Sequence, residues 1–255
     1  MKIFFRNLVI HVTLFVREFA KKAQFKKEYN NFKRLSTHIE RELPLRWEER
    51  YPCLDDRTST TVFDRHYVYH TAWAARVLAK TKPLQHIDIG SYLYFATLVS
   101  AYVPVKFYDY RPAQVVLSGL ETGYADLHTL PFEHDSVPSL SCMHVVEHVG
   151  LGRYGDPLDP NGDLKAMKEL ERVLAPGGDL LFVVPVGQPR VMFNAHRIYG
   201  YEQIIKAFDG LILSEFGLIQ SQGTAPPIMG ASVEQVATER YGCGCFWFRK
   251  PKAGN

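Results

Sequence analysis

From residue 86 onward, short apolar runs alternate with segments of helical periodicity, and few arrangements other than a layered α/β sheet suit that alternation. The runs are HIDIGS (86–91), VKFYDY (105–110), GYADLHTL (123–130), SLSCMHVV (139–146), DLLFVVPV (179–186), LILSEFGLI (211–219) and GCGCFWFRK (242–250). DLLFVVPV is apolar without a break, as a central parallel strand buried on both faces requires. Between the runs, DLKAMKELERVLA starts at Asp163 as an N-cap, places Leu164, Met167, Leu170 and Leu174 on one stripe, and stops at Pro176-Gly177-Gly178. YEQIIKAF (201–208) reads as another helix, and FDRHYVYHTAWAARVLAK (63–80) as the helix that precedes the first strand. The expected architecture is a doubly wound, mostly parallel, seven-stranded sheet with helices on both faces. In such a sheet ligands sit at the carboxyl ends of the strands, where strand order reverses.

The formal net charge of +3 is unevenly placed. Residues 1–50 carry twelve Lys and Arg against six Glu, and the remainder is net acidic. The body therefore argues against a broad nucleic-acid surface. The basic excess belongs to MKIFFRNLVIHVTLFVREFAKKAQFKKEYN, which reads as an amphipathic helix. Phe5, Leu8, Val9, Val12, Phe15, Val16 and Phe19 recur at helical spacing, with Arg6, Arg17 and Lys21 on another face. Arg6, His11 and Arg17 interrupt the apolar run well short of bilayer length. The expected division is a helical extension at 1–60 and a catalytic domain at 61–255. Residues 1–27 either contact an anionic membrane surface, peripherally at the inner face, or cover the domain. Four cysteines without a C-x-x-C spacing point to a reducing, cytoplasmic setting; Cys243-Gly-Cys245 reads as buried strand residues rather than a soft-metal site.

Two strings invite other functions. Gly150, Gly152 and Gly155 have the G-x-G-x-x-G spacing of a dinucleotide turn, but they follow the fourth strand, and Pro157 and Pro160 delay any helix until Asp163. HVVEH (144–148) has an H-x-x-E-H zinc spacing, but its histidines straddle a strand end and glycines follow within a turn. A metal-dependent hydrolase is the rival enzyme class, and a non-catalytic scaffold is the rival outside catalysis.

The stronger constellation lies at the first strand tips. Gly90 ends the first strand and Asp109 the second, nineteen residues later, where a carboxylate suits ribose hydroxyls. The loop Ser91-Tyr-Leu-Tyr-Phe95 has no further glycine for a pyrophosphate to approach, which favours S-adenosylmethionine (SAM) over NAD. Asp126, at the end of the third run, is placed to accept from an adenine amino group. Ser91 and Tyr110 flank these positions.

The stretch ADLHTLPFEHDSVPSLSCMHVVEHV with KELERVLAPGGDLLFVVPVG resembles the region from strand three to strand five of class I SAM-dependent methyltransferases, a Rossmann-like superfamily. GLGRYGDPLDP with FNAHRIY resembles, more narrowly, a bacterial family catalogued as a domain of unknown function. The likeness covers roughly residues 60–220. It implies that Asp88 and Gly90 form the SAM loop, Asp109 meets the ribose, Asp126 and Leu127 lie by the adenine, and His144 lies beneath the cofactor. The superfamily's two or three loop glycines are reduced here to Gly90.

In that arrangement VGLGRYGDPLDPNGD faces the acceptor, with Arg153, Tyr154, Asp156 and Asp159 as polar contacts. A second set, Asn194, His196, Arg197 and Tyr199, follows strand five, and His66, Tyr67 and His70 lie within reach. An ion pair between Arg153 and Asp156 would instead lock the loop. Two polar clusters suit a hydroxylated acceptor such as a glycan. His148 is the first candidate base and His196 the second, because histidine titrates near neutrality. Asp156 with Asp159 offers the alternative of a Mg²⁺ that acidifies a diol. The expected function is O-methylation of a glycan or related hydroxylated metabolite, with SAM as methyl donor.

Overall fold

The computed structural model describes residues 2–37, 39, 41 and 43–252, with side chains from Thr13 onward. The chain divides into two compact units, residues 1–62 and 63–255.

In the first unit, α1 (Lys2–Ser36) runs beyond the expected stretch. Lys21, Phe25 and Tyr29, one turn apart, are its less exposed stripe. Tyr29 packs edge-on against Trp47 with centroids 4.8 Å apart, Arg50 lies over the same indole, and Arg57 pairs with Glu28 at 2.9 Å. Phe15, Val16 and Phe19 of the expected apolar stripe are instead exposed. Phe5, Leu8, Val9, Val12 and Arg6 have side chains outside the described residues. Among the described residues, no helix is long and apolar enough to cross a membrane.

The second unit opens with α2 (Arg65–Thr81), capped by Asp64, whose carboxylate accepts from the Tyr67 amide. It continues through β1 (His86–Ile89), α3 (Leu93–Val99), β2 (Val105–Asp109), β3 (Leu120–Tyr124) and β4 (Val137–Met143). After a 3-10 turn at Val146–His148 come α4 (Gly162–Val173), β5 (Leu174–Val186), β6 (Arg190–Met192) and β7 (His196–Ile198). The unit closes with α5 (Tyr201–Ala207), β8 (Ile212–Ile219), β9 (Ile228–Met229), α6 (Val233–Thr238) and β10 (Gly242–Arg249).

The main sheet has the order β3-β2-β1-β4-β5-β10-β8-β9. The first four pairings are parallel and the last three antiparallel. The expected seven strands are present, with the two-residue β9 added at one edge. β6 and β7 form a separate hairpin that apolar periodicity did not signal. Alternation along β5 explains its unbroken hydrophobicity. Leu180, Phe182 and Val184 enter one core with α4 and α5, while Leu181 and Val183 enter the other with α2 and α3. Full burial of one such side chain contributes about 1.5–3 kcal/mol, so both layers weigh on the fold.

Three boundaries differ from the sequence reading, one of them the fifth strand, which begins at Leu174 and so contains the Pro176-Gly177-Gly178 expected to stop the helix before it. The third strand lies at Leu120–Tyr124, ahead of GYADLHTL, and Asp126 falls in the turn that follows. α4 begins two residues earlier than expected, with Asn161 rather than Asp163 at its N-cap position and no side-chain cap bond. Asp163 sits in its first turn, buried, because its carboxylate is claimed by Tyr199 and Arg197 rather than by the helix amides.

Candidate functional site

Strand order reverses between β1 and β4, so the loops leaving these two strands separate and open a crevice. Gly90, just past β1, takes φ +66° while its amide donates to the Tyr108 carbonyl at 2.7 Å. A Cβ there would stand 3.1 Å from Val145 and 3.5 Å from Asp109 Oδ2. The tight turn thus keeps open a cavity of about 150 Å³ whose lining includes Gly90, Asp109, Tyr110, Asp126 and Leu127. Asp109 Oδ1 accepts from the Arg111 amide at 2.7 Å, leaving Oδ2 as the oxygen near Gly90. Asp126 Oδ1 accepts from the His128 amide at 2.8 Å, so this carboxylate also shapes its own turn.

Asp88 does not reach that wall. It is fully buried, accepts from the hydroxyls of Ser91 and Ser141, and is linked through Ser141 to His86, whose other ring nitrogen bonds Ser139. Burial pushes its carboxyl up to about 7, against the bonds from Ser141 and Ser91. Ser91 in turn accepts from the Met143 amide at 3.1 Å, which ties the β1 loop to β4. Asp88 therefore fixes the loop from inside rather than contacting a ligand, whereas Ser91 lines the neighbouring, larger cavity.

That larger cavity, about 630 Å³, shares Gly90, His144, His148 and Tyr154 with the smaller one. His144 follows β4 at φ +57°, buried, with Nδ1 2.9 Å from Glu147 Oε1. Its ring stacks with those of His66 and Tyr67, at centroid distances of 5.7 and 5.4 Å. His148 donates from Nδ1 to the Ala195 carbonyl at 2.6 Å, which makes Nε2 the accepting nitrogen, with Arg153 Nη1 3.4 Å from it. Burial lowers its pKa, opposed by Glu147, and the imidazole is neutral at pH 7. His196 is lowered in the same way, and its buried Nε2 has no hydrogen-bond partner. Burial takes His66 down to about 4, with the charge of His144 adding to it. Tyr67 and Tyr241 are raised to about 12 by burial and then by Glu147.

Glu147 is the functional candidate that sequence reasoning passed over. It is 1% exposed, bonds His144, lies 3.8 Å from His148 Nε2, and keeps Oε2 without a hydrogen-bond partner. The only signal for it in the sequence was its place between two histidines in HVVEH. Only His148 belongs to the short 3-10 turn, which His144 precedes by two residues, and the two histidines share no metal-type cluster among the described residues.

Several predicted acceptor contacts hold the loop 149–163 instead. Asp156 accepts from the amides of Gly150 (2.7 Å), Tyr154 (3.1 Å) and Gly152 (3.3 Å). Burial raises its pKa, but these backbone bonds outweigh burial and leave it below the ordinary range, which suits a clamp rather than a base. Asp159 Oδ2 pairs with Lys165 at 2.6 Å and Oδ1 accepts from the Asn161 amide. With both carboxylates so committed, the Mg²⁺ reading is withdrawn. Arg197 is buried and donates to the carbonyls of Val149, Asp159 and Pro160; Tyr199 donates to Asp163. Both belong to the framework and not to a substrate wall. Asn194 sits exposed at the tip of the β6–β7 hairpin with φ +62°, lining neither cavity. Arg153 donates to the Ala195 carbonyl at 3.2 Å and lies beside Tyr154 and His148, so it faces the cavity rather than pairing with Asp156. His70 is fully buried behind His66.

The three loop glycines serve this turn and not a pyrophosphate. Gly150 has φ +78°, and a Cβ there would stand 2.1 Å from the Asp159 carbonyl oxygen. Gly150→Ala is expected to destabilise the unit by more than the ~1–3 kcal/mol of left-handed strain alone. Thermal melting checks this, and a melting temperature equal to that of the native chain would exclude it.

A family model described as a Caenorhabditis protein of unknown function, DUF268, matches residues 130–222. Its description names Caenorhabditis where GRYGDPLDP pointed to a bacterial family. No curated protein matches the chain. Among solved structures, the chain is similar to the complex of the Haloferax volcanii Trm112 methyltransferase activator with a protein described as a methyltransferase. The identity there is 19%, over 75% of this chain and 92% of that one, with a TM-score of 0.51. It is also similar to the N-methyltransferase NodS of Bradyrhizobium japonicum WM9 in complex with S-adenosyl-L-homocysteine, at 17% identity over 72% and 86%, with a TM-score of 0.49. At such identities the likeness speaks for architecture: the chain has the Rossmann-like fold of class I methyltransferases.

Proposed function

We propose that the second unit is a SAM-dependent methyltransferase that methylates a hydroxyl of a sugar or related polar metabolite. The observation that carries this reading is the convergence of Gly90, Asp109, Asp126 and Leu127 on one small cavity that opens beside a larger polar one. In this reading the smaller cavity takes the adenosine. Asp109 offers a carboxylate oxygen to ribose hydroxyls, Leu127 and Val145 supply apolar faces, and Asp126 lies near the adenine edge. SAM supplies an electrophilic methyl when bound. The chain's own part is to align the acceptor and exclude water, which is where most of the rate of such a displacement arises.

His148 is the proposed general base. Its Nδ1–H is spent on Ala195, so Nε2, once an acceptor displaces Arg153 Nη1 from 3.4 Å away, can take the acceptor's proton while Glu147, 3.8 Å away, stabilises the imidazolium that results. His196 is the second base on the same wall. Arg153 and Tyr154 are the proposed acceptor contacts. The choice of a hydroxyl over an amine rests on this pair of neutral imidazoles, which suit an acceptor that must lose a proton as it reacts.

Calorimetric titration of the metal-free chain with S-adenosylhomocysteine tests the reading. Native protein is expected to bind in the micromolar range, and Asp109→Ala to bind at least about 10-fold more weakly, as loss of a charge-assisted hydrogen bond implies. An absence of binding by the native chain would sink the methyltransferase reading. Equal binding by the variant would remove Asp109 from the ribose.

A further inference from the structure

Three side chains of ligand type meet beside the larger cavity from distant parts of the chain, two of them, His66 and His144, on its wall and Cys243 buried behind it. His66 lies in the first turn of α2, His144 follows β4, and Cys243 is the second residue of β10. One ligand atom from each lies within 4.8 Å of the others. A tetrahedral zinc site with ordinary bond lengths has ligand atoms roughly 3.3–3.6 Å apart, so small side-chain rotations close the set. The residues are 8%, 9% and 0% exposed, respectively.

Two further observations point to a ligand here. His144 has its Nδ1 engaged by Glu147, and its Nε2 is buried with no hydrogen-bond partner. A carboxylate on one imidazole nitrogen with the other left free is the arrangement that orients a metal-binding histidine. His70, whose ring lies 5.0 Å from that of His144, repeats the pattern. Its Nδ1 bonds the His66 carbonyl at 2.6 Å, and its buried Nε2 also lacks a partner. Buried polar atoms are rarely left unpaired, and two at one place call for an explanation.

We propose that His66, His144 and Cys243 bind a divalent first-row cation of the zinc class, with Glu147 orienting His144 and the remaining coordination position facing the larger cavity. Two imidazoles and one thiolate form a borderline-soft donor set, which suits zinc and disfavours magnesium or calcium. On binding, the Cys243 thiol releases its proton to solvent and both histidines coordinate as neutral rings. The site is distinct from the H-x-x-E-H spacing: His144 takes part, but His148 does not. It meets the proposed adenosine cavity only at His144, which lines both, and uses none of Gly90, Asp109 and Asp126.

The test is titration of the chelator-treated full chain with Co²⁺, followed by displacement with Zn²⁺. One equivalent is expected, with the visible bands of four-coordinate cobalt and a near-ultraviolet thiolate-to-cobalt charge-transfer band. Cys243→Ser should abolish the charge-transfer band and weaken binding at least 10-fold, whereas Ser in place of the exposed Cys53 should change neither. An absence of cobalt bands in the folded native chain, or a charge-transfer band undiminished in Cys243→Ser, would overturn the proposal. Should Cys243→Ser melt too low to titrate, His66→Gln carries the same decision through the visible bands, which must weaken. Binding of S-adenosylhomocysteine is read on metal-free protein, so either result can fail without the other.

Discussion

Arg197→Ala is expected to lower the unfolding free energy by about 3–5 kcal/mol, because it breaks a buried ion pair from one side. For a unit of this size that corresponds to a fall in melting temperature of roughly 6–20 °C. The guanidinium joins three elements at once. It donates to the Val149 carbonyl at 2.6 Å, reaches the Asp159 and Pro160 carbonyls at 3.3 and 3.4 Å, and places Nε 3.5 Å from Asp163 Oδ2. Its removal leaves the Asp163 carboxylate buried in the first turn of α4 with the Tyr199 hydroxyl as its neighbour. Arg197→Lys should recover little of the loss, since one ammonium cannot span the carbonyls and the carboxylate together. Limited proteolysis should then cut within residues 149–163, the segment these bonds hold. A melting temperature within about 2 °C of the native value would show that the loop is anchored by other means.

His86 and Asp88 are expected to give the protein two opposing pH dependences, which single substitutions separate. Burial drives the His86 imidazole down to about 3. Its neutral form is the folded one, so its contribution is complete above the unfolded value of about 6.5 and is lost as pH falls toward 3. Asp88 is raised to about 7, so its contribution is complete below about 4 and is lost as pH rises through 7. Between pH 7 and pH 5 each is worth about 2 kcal/mol, with opposite sign, and in the native chain the two largely cancel. His86→Gln should therefore gain stability relative to the native chain as pH falls from 7 to 5, and Asp88→Asn should lose it by a similar amount. Denaturant titrations at the two pH values provide the comparison. Parallel pH profiles for all three proteins would mean that neither group is titrating inside the fold.

The sheet was legible because its strands are apolar on both faces, and nothing but burial between two helical layers explains DLLFVVPV. Its third strand was misplaced for the same reason. LETGY is amphipathic and half-exposed at the sheet edge, whereas the following ADLHTL is apolar because Ala125, Leu127 and Leu130 pack beneath the turn. Gly90 and Asp109 were readable from spacing, since both lie at strand tips. Arg197 and Tyr199 were read as substrate contacts because polarity does not reveal burial; only the return of the chain past α4 shows what they bind. Nor could spacing join His66 to Cys243, which are brought together by the insertion of β10 beside β5.

That insertion also orders events during synthesis. β10 hydrogen-bonds to β5 on one side and β8 on the other. Until it emerges from the ribosome, the edge of β5 opposite β4 has no partner, and β8 has no sheet to join. The most apolar strand of the nascent chain therefore waits with an open edge, exposed to its neighbours on a crowded polysome. Of the eight strands in the sheet, β10 is the latest in chain order, and its eight residues close the edge that β5 leaves open.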